Sequence, residues 1–444
     1  MKKLIFTLLL CTIAYNFASA GDDKLIDKAI VLIQNLNSGN IDSAYATFDS
    51  TMKAALKKSA LEPIFPQLTQ TYGKLNADSA SLAAKAKRTA RTVSIPLKFE
   101  KVTLAAYVTY DASPEALVAG LYFRPYVEAV YAPPAYADTN RFVEKQVSFG
   151  EPGWELPAIL TIPDGVKNPP CVVLVHGSGP HDYDETVGPN KPFKDLAWGL
   201  ATLGIASLRY DKRTFAHSSK MLSAIKTLDM NGETIDDAVF GYEFILGRND
   251  IDPKRIFILG HSQGGYAIPR IASRAPKAAG FIIMAGLAQG WDSTLIRQYN
   301  YIMGEDGKLT EEETAEINKL KRQFDYLNGP AFTMDSPTDS LPLGQSASYW
   351  KFIKDYNPTK EASPIKKPVL VLQGEADYQV TVQDFELWKK ALSKNSKAQF
   401  KLYPGMNHLF QKTAQKSSPR DYDKAGNIER QVIEDISNFI GKAK

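Results

Sequence analysis

A serine flanked by glycines, Gly260-His261-Ser262-Gln263-Gly264, directly follows the apolar run Ile256–Leu259 and precedes a plausible helix, Gly265 to Ser273. A serine at such a strand-to-helix turn is held in a strained backbone conformation that exposes its hydroxyl at the carboxyl end of the strand. The glycines are needed because a Cβ at Gly260 or Gly264 would clash across the turn. Free amides at the helix start, with the positive end of its dipole, then face any negative charge that develops beside the hydroxyl. This is the arrangement of an acyl-transfer nucleophile. The same five letters also arise by chance as a glycine-rich turn, and the strand in front of them gives them chemical meaning here. Pro269, seven residues past the serine, predicts a kink in the helix.

The serine needs a base, and the chain offers five histidines, at 176, 181, 217, 261 and 408. His261 lies inside the turn and points away from its neighbour's hydroxyl. His408 follows a short strand, Gln399–Tyr403, in the loop Pro404-Gly405-Met406-Asn407-His408. A loop beyond the last strand reaches over the carboxyl edge of a sheet, which makes His408 the candidate base. A carboxylate should orient it and stabilise its imidazolium form. Asp377, in Gly374-Glu375-Ala376-Asp377 after the strand Val369–Leu372, fits the order serine, acid, histidine. Glu375 and Asp292 are its rivals. An oxyanion site needs two amide donors. The Gln263 amide supplies one, and the turn His176-Gly177-Ser178-Gly179-Pro180 supplies the other, with Ser178 as the candidate.

These residues need a scaffold that brings strand ends together. From about residue 141, apolar strands at Cys171–Val175, Ile205–Leu208, Ile256–Leu259, Phe281–Met284 and Val369–Leu372 alternate with amphipathic segments. Phe193, Leu196, Ala197 and Leu200 mark one helix, and Ile235, Ala238, Val239, Tyr242 and Leu246 another. Near-continuous apolar strands separated by helices predict a parallel sheet covered on both faces. Residues 142–149 and 154–162 read as an antiparallel pair entering it, and 428–440 as a closing helix.

The segments VLVHGSGPHDYDE, LRYDKR, ILGHSQGG, LQGEAD and GMNH occur in this order at the strand ends. With them, residues 141–444 resemble the α/β-hydrolase superfamily, particularly esterases near its dienelactone-hydrolase and prolyl-oligopeptidase-type branches. The resemblance implies an α/β-hydrolase fold: a mostly parallel eight-stranded sheet, helices on both faces and a cap insertion. It also implies that the turn at His176 acts through backbone amides, and that no metal or organic cofactor takes part. The activity to expect is carboxylic ester hydrolysis through an acyl-enzyme, on a small-molecule or carbohydrate-linked ester. A prolyl-oligopeptidase-type serine peptidase is the alternative, followed by a thioesterase and a non-catalytic binding protein.

The segment 287–365 is longer than a crossover requires and stands where this superfamily carries its cap. Trp350, Phe352 and Tyr356 within it are the expected substrate-pocket residues, the alternative being aromatics packed onto the core. Arg209, in Arg209-Tyr210-Asp211-Lys212-Arg213, could bind a substrate anion. Internal salt bridging is the other role open to it, with Asp182, Asp184, Glu185 and Asp211 as partners.

Residues 22–135 have a different character. Ile26, Ala29, Ile30 and Ile33 recur at helix spacing, as do Ala44, Tyr45, Phe48 and Met52. Three alternating segments follow, at 93–99, 102–108 and 117–123. This predicts a small α+β domain ahead of the hydrolase region, joined by a linker at Pro133-Pro134. It resembles the domain of uncharacterised function that precedes hydrolase domains in some bacterial exported proteins, and an NTF2-like fold is the architecture that goes with it. The cluster Lys85, Lys87, Arg88 and Arg91 reads as a solvated face.

Lys2 and Lys3, the apolar run Leu4 to Ala14, and Ala18-Ser19-Ala20 compose a secretory signal over residues 1–20, which places the protein in the periplasm or outside the cell. Cys11 as a lipid acceptor is disfavoured by the bulk of Leu10 before it. Removing Lys2 and Lys3 lowers the formal charge from +4 to +2. Such a balance gives no electrostatic reason to expect nucleic acid, and no stretch predicts stable membrane insertion. Cys171 is then the one thiol left, so stability must come from the core.

Overall fold

The computed structural model describes residues 24–442 apart from 77, 79–81, 83–85, 90, 91, 112, 127–130, 218–220, 222–225 and 414–416. The expected signal, 1–20, lies outside the described residues, as do Lys85 and Arg91; of Lys87 and Arg88 only the backbone is described. The chain forms two compact units that part between Tyr126 and Tyr131. That is earlier than the expected linker at Pro133-Pro134. The reason is local anchoring: the Tyr131 hydroxyl donates to Asp195 at 2.7 Å, and Asn427 donates to the Ala132 carbonyl at 2.9 Å, so this stretch belongs to the second unit.

In the first unit, helices Lys24–Asn37, Ile41–Ala46, Ser50–Ala55, Lys58–Leu61 and Ile64–Tyr72 precede an antiparallel sheet. Its strands are β1 (Lys87–Thr89), β2 (Thr92–Lys98), β3 (Thr103–Tyr110) and β4 (Val118–Pro125), in that order. The alternation in the sequence becomes burial: Val93, Ile95 and Leu97 face a core shared with Ala29, Ile33 and Phe48. Val93 pairs with Val108, and Val108 with Leu121, which sets all three strands in register. Strand β1 adds a fourth strand to the three expected. Lys87-Arg88-Thr89 contains no apolar residue, so alternation could not reveal it.

The second unit holds an eight-stranded sheet ordered β12-β11-β10-β9-β7-β8-β6-β5. Its strands are β5 (Phe142–Phe149), β6 (Leu156–Pro163), β7 (Cys171–Val175), β8 (Ala206–Tyr210), β9 (Ile256–His261), β10 (Gly280–Met284), β11 (Val369–Gly374) and β12 (Ala398–Tyr403). Pairing is parallel from β8 through β7 to β12, and antiparallel for β5 with β6 and β6 with β8. Successive side chains of one strand enter opposite cores. Val173, Ile258 and Ile283 pack with Ala238, Tyr242 and Ile268. Val172, Phe257 and Ile282 pack with Phe193, Leu196 and Ile433 on the other face. Two covered faces are why these strands read as unbroken apolar runs.

Because β7 to β12 are parallel, the loops after them all emerge at one edge, where ligands of open α/β sheets bind. The segment 287–365 leaves that edge as helices Trp291–Met303, Glu311–Asn328, Ala347–Asp355 and Pro358–Ala362. Among the described residues no helix is long and apolar enough to cross a membrane.

Candidate active site

Ser262 joins β9 to the helix Gln263–Arg274 with φ 51° and ψ −112°, in the left-handed region that a non-glycine residue enters only when its surroundings force it. The forcing is visible. Its amide donates to the Met284 carbonyl of the neighbouring strand at 2.9 Å. A Cβ on Gly260 would lie 2.2 Å from the Gly264 carbonyl oxygen, and one on Gly264 would lie 2.3 Å from that of Val175. Only glycine fits at either place. The helix runs on through Pro269 without interruption, so the expected kink does not end it.

Asp377 and His408 meet. The Nδ1–H of His408 donates to Asp377 Oδ2 at 2.6 Å, with both side chains buried. The same carboxylate accepts the backbone amides of Gln379 (2.8 Å) and Val380 (3.0 Å) and the Gln373 side-chain amide (3.2 Å), which fixes its plane. Neither rival is placed for this role: Glu375 and Asp292 are exposed, and Asp292 accepts the amide of Ser293 in its own helix. The loop bearing His408 crosses the end of β11 so closely that a Cβ on Gly374 would lie 2.4 Å from the Met406 carbonyl oxygen. Asn407 stiffens the loop by accepting the amides of Leu409 and Gln411.

His261 ties this loop to the serine turn. Its Nε2–H donates to the His408 carbonyl at 3.1 Å, and its Nδ1 lies 2.9 Å from Glu185 Oε2. Burial alone would lower its pKa, but the Glu185 charge and hydrogen bond outweigh that and raise it above the ordinary value. Burial would likewise raise Glu185, and the His261 charge and hydrogen bond instead hold it down at about 2. Glu185 Oε1 also accepts the Gly177 amide at 2.6 Å. His176 does no such work. It is buried, and burial lowers its pKa to about 3.

The turn after β7 brings Ser178 beside Ser262 and Gln263 on one cavity. The amides of Ser178 and Gln263 donate to no other group among the described residues. Two unused N–H groups beside an exposed-edge serine are what an oxyanion requires.

The cavity, about 40 Å³, is walled by Leu287, Trp291, Thr294, Leu295, Gln298, Gln379 and Val380. The wall therefore comes from the helix Trp291–Met303 and the loop after β11, and Trp350, Phe352 and Tyr356 are not part of it. Trp350 is wholly buried, with its Nε1–H on the Pro342 carbonyl and its ring edge-on to Trp291. The Tyr356 hydroxyl donates to the Tyr266 carbonyl at 2.7 Å, and Arg270 lies over the rings of Phe352 and Tyr356. These aromatics pack behind the wall, Trp350 directly against Trp291 and Tyr356 against Tyr266. Arg209 is also elsewhere: its guanidinium is buried between Glu144 and Asp184, where charge neutralisation in a dry site outweighs any role at the cavity.

Sequence reading missed Trp291, Thr294, Leu295 and Gln298. Their i, i+3, i+4, i+7 spacing straight after β10 was the signal, since a helix leaving the carboxyl edge turns such a face toward it.

Residues 29–115 match a family described as "Protein of unknown function (DUF3887)", and residues 172–421 match the one described as "Alpha/beta hydrolase family". The chain is 34% identical over 416 residues to Esterase EstD of Thermotoga maritima, covering 94% of this chain and 95% of that protein. Among solved structures it is similar to Est1E from Butyrivibrio proteoclasticus (15% identity, TM-score 0.42, 67% of this chain and 98% of that one). It is also similar to the Pyrococcus horikoshii acylaminoacyl peptidase (15% identity, TM-score 0.45, 85% of this chain and 57% of that one). The match over residues 172–421, on an eight-stranded and mostly parallel sheet, together with 34% identity to an esterase along nearly the whole chain, shows that the chain belongs to the alpha/beta hydrolase family.

Proposed function

We propose that this protein is an exported serine esterase that cleaves carboxylic esters of short acyl groups. Ser262 attacks the ester carbonyl while His408 takes its proton. The tetrahedral oxyanion is held by the amides of Gln263 and Ser178. Collapse expels the alcohol, which takes the proton back from His408. Water then attacks the acyl-enzyme by the same route, releasing the acid and restoring the serine. Asp377 keeps Nδ1 protonated throughout, so that Nε2 is the atom that exchanges the proton.

The observation that carries this reading is the His408–Asp377 hydrogen bond at 2.6 Å, fastened to the residue next to Ser262 by the His261 contact. The identity to an esterase over nearly the whole of both chains supports the ester class. The cavity supports short acyl groups. At about 40 Å³ it is far smaller than the roughly 300–1,000 Å³ of a pocket for a drug-sized ligand.

The test is turnover of p-nitrophenyl acetate, butyrate and octanoate and of an aminoacyl anilide, with Ser262→Ala as control. Ester turnover abolished by Ser262→Ala supports the proposal. Turnover of the anilide alone would make the protein a peptidase, and ester turnover that survives Ser262→Ala would sink the assignment of the nucleophile. Export is tested by fractionating cells that express the full chain: recovery in the cytoplasm with residues 1–20 still attached would overturn it.

A further inference from the structure

Lys212 is a buried lysine that the acyl-transfer steps above do not use. It follows β8, and its ammonium sits among three oxygens: Glu233 Oε1 at 2.7 Å, the Gly177 carbonyl at 2.8 Å and Gln263 Oε1 at 3.0 Å. Lys212, Glu233 and Gln263 are all buried. Two of its N–H groups donate to Gly177 and Gln263, and Glu233 supplies the counter-charge. Gln263 is tied further, its side-chain amide donating to Glu233 Oε2 at 3.1 Å and to the Tyr349 hydroxyl at 2.5 Å.

Of those three oxygens, one belongs to Gln263 and one to Gly177, the residue just before Ser178. Gly177 and Ser178 share one peptide unit, which is trans, so its carbonyl and its N–H point in opposite directions. Holding the Gly177 carbonyl on Lys212 therefore aims the Ser178 N–H away from Lys212. Ser178 is on the cavity. From the other side, Glu185 takes the Gly177 amide, so both flanking peptide units of this glycine are pinned. Gln263 is pinned by its side chain while its backbone amide stays unused. A buried charge pair of this kind adds little net stability, because desolvation offsets much of the attraction. Its value here is geometric: preorganised donors need no reorganisation as the oxyanion forms.

We propose that Lys212, with Glu233 as its counter-ion, is a positioning residue that locks the Ser178 and Gln263 amides into a single oxyanion site. This rests on the esterase reading above.

The test compares wild type with Lys212→Met/Glu233→Gln, which removes the ammonium without leaving a bare buried carboxylate. The expected result is a kcat about 10-fold to 100-fold lower, below the roughly 10²–10³ lost when an oxyanion donor is removed outright. KM should stay within about 3-fold, and affinity for an alkyl boronic acid should fall in step with kcat/KM. A folded double variant that loses thermal stability but keeps its kcat would overturn the proposal.

Glu233→Gln alone gives a second arm should the double variant not fold. It keeps a neutral acceptor beside Lys212 but removes the charge that pairs with the ammonium and helps fix the Gln263 side chain. The kcat of Glu233→Gln should fall about 10-fold with KM within about 3-fold, and an unchanged kcat would overturn the proposal. Should the wild type show no Ser262-dependent ester turnover, the esterase reading fails and this inference with it. Should turnover be Ser262-dependent and indifferent to Lys212, only the inference fails.

Discussion

The imidazole of His261 donates to the backbone carbonyl of His408 at 3.1 Å, so the residue before the proposed nucleophile holds the loop of the proposed base. The donation requires a proton on Nε2, while Nδ1 faces the Glu185 carboxylate at 2.9 Å, whose charge raises the His261 pKa. Glu185 in turn accepts the Gly177 amide. One ion pair thus joins three loops of the site.

That pair gives the stability a defined pH window. His261 is raised above 6.5, so its contribution is complete below 6.5 and is lost as pH climbs through the folded value. Glu185 is lowered from 4.5 to about 2, so its contribution is complete above 4.5 and is lost as pH falls toward 2. Both are intact between these limits. The wild-type melting temperature should therefore decline on the alkaline side, and His261→Gln, which cannot titrate, should show a flatter curve there with a lower plateau. Differential scanning fluorimetry from pH 4 to pH 9 checks this; parallel curves would show that the pair is not charged.

Asp377→Asn should lower kcat by about 10⁴, because an amide favours the wrong histidine tautomer. Glu375→Gln and Asp292→Asn should each leave kcat within about 2-fold, since both side chains are exposed. Steady-state kinetics on p-nitrophenyl butyrate separates the three. A large loss on Glu375→Gln would reassign the acid.

Much of this was legible because the chemistry sits at the ends of apolar strands. Asp377 follows β11 and His408 follows β12, and a parallel sheet delivers both to the edge where Ser262 stands. What stayed hidden depends on pairings across long stretches of chain. Lys212 and Gln263 are far apart in sequence, and nothing in LRYDKR distinguishes a buried lysine from a solvated one. Trp350 was misplaced for a related reason: an aromatic in a cap reads the same whether it faces substrate or packs behind the residue that does. Arg209 likewise had carboxylate partners in Glu144 and Asp184, and only the fold shows that burial settles it there.

The cavity wall should set acyl-chain length. With about 40 Å³ available, kcat/KM for p-nitrophenyl acetate and butyrate should exceed that for octanoate by about 10-fold or more. Leu295→Ala enlarges the wall without touching Ser262, and should shift the octanoate-to-acetate ratio upward by about 10-fold. An unchanged ratio would mean that the acyl group binds elsewhere.

The aromatics behind that wall should affect stability and not selectivity. Tyr356→Phe removes the hydroxyl that donates to the Tyr266 carbonyl, at a cost of roughly 1–3 kcal/mol for the buried partner left unsatisfied. Trp350→Phe opens a void and leaves the Pro342 carbonyl without its donor. Chemical denaturation should register both losses. The octanoate-to-acetate ratio should remain within about 2-fold of wild type, and a larger change would return these residues to the substrate pocket.

Gly374→Ala tests whether the end of β11 sets the position of His408. The added methyl would meet the Met406 carbonyl oxygen at 2.4 Å and that of Asn407 at 2.7 Å, both backbone atoms immediately before the histidine. Neither can yield alone, because Met406 also accepts the Ala376 amide and Asn407 anchors the loop through Leu409 and Gln411. The loop must move as a unit, carrying His408 away from Asp377. Overpacking of this kind costs roughly 1–3 kcal/mol, which a folded sheet of eight strands tolerates. A displacement near 1 Å can cost about 10² in rate, so kcat should fall about 100-fold while the circular dichroism spectrum is retained. A folded Gly374→Ala enzyme with wild-type kcat would show that the strand end does not govern the placement of the base.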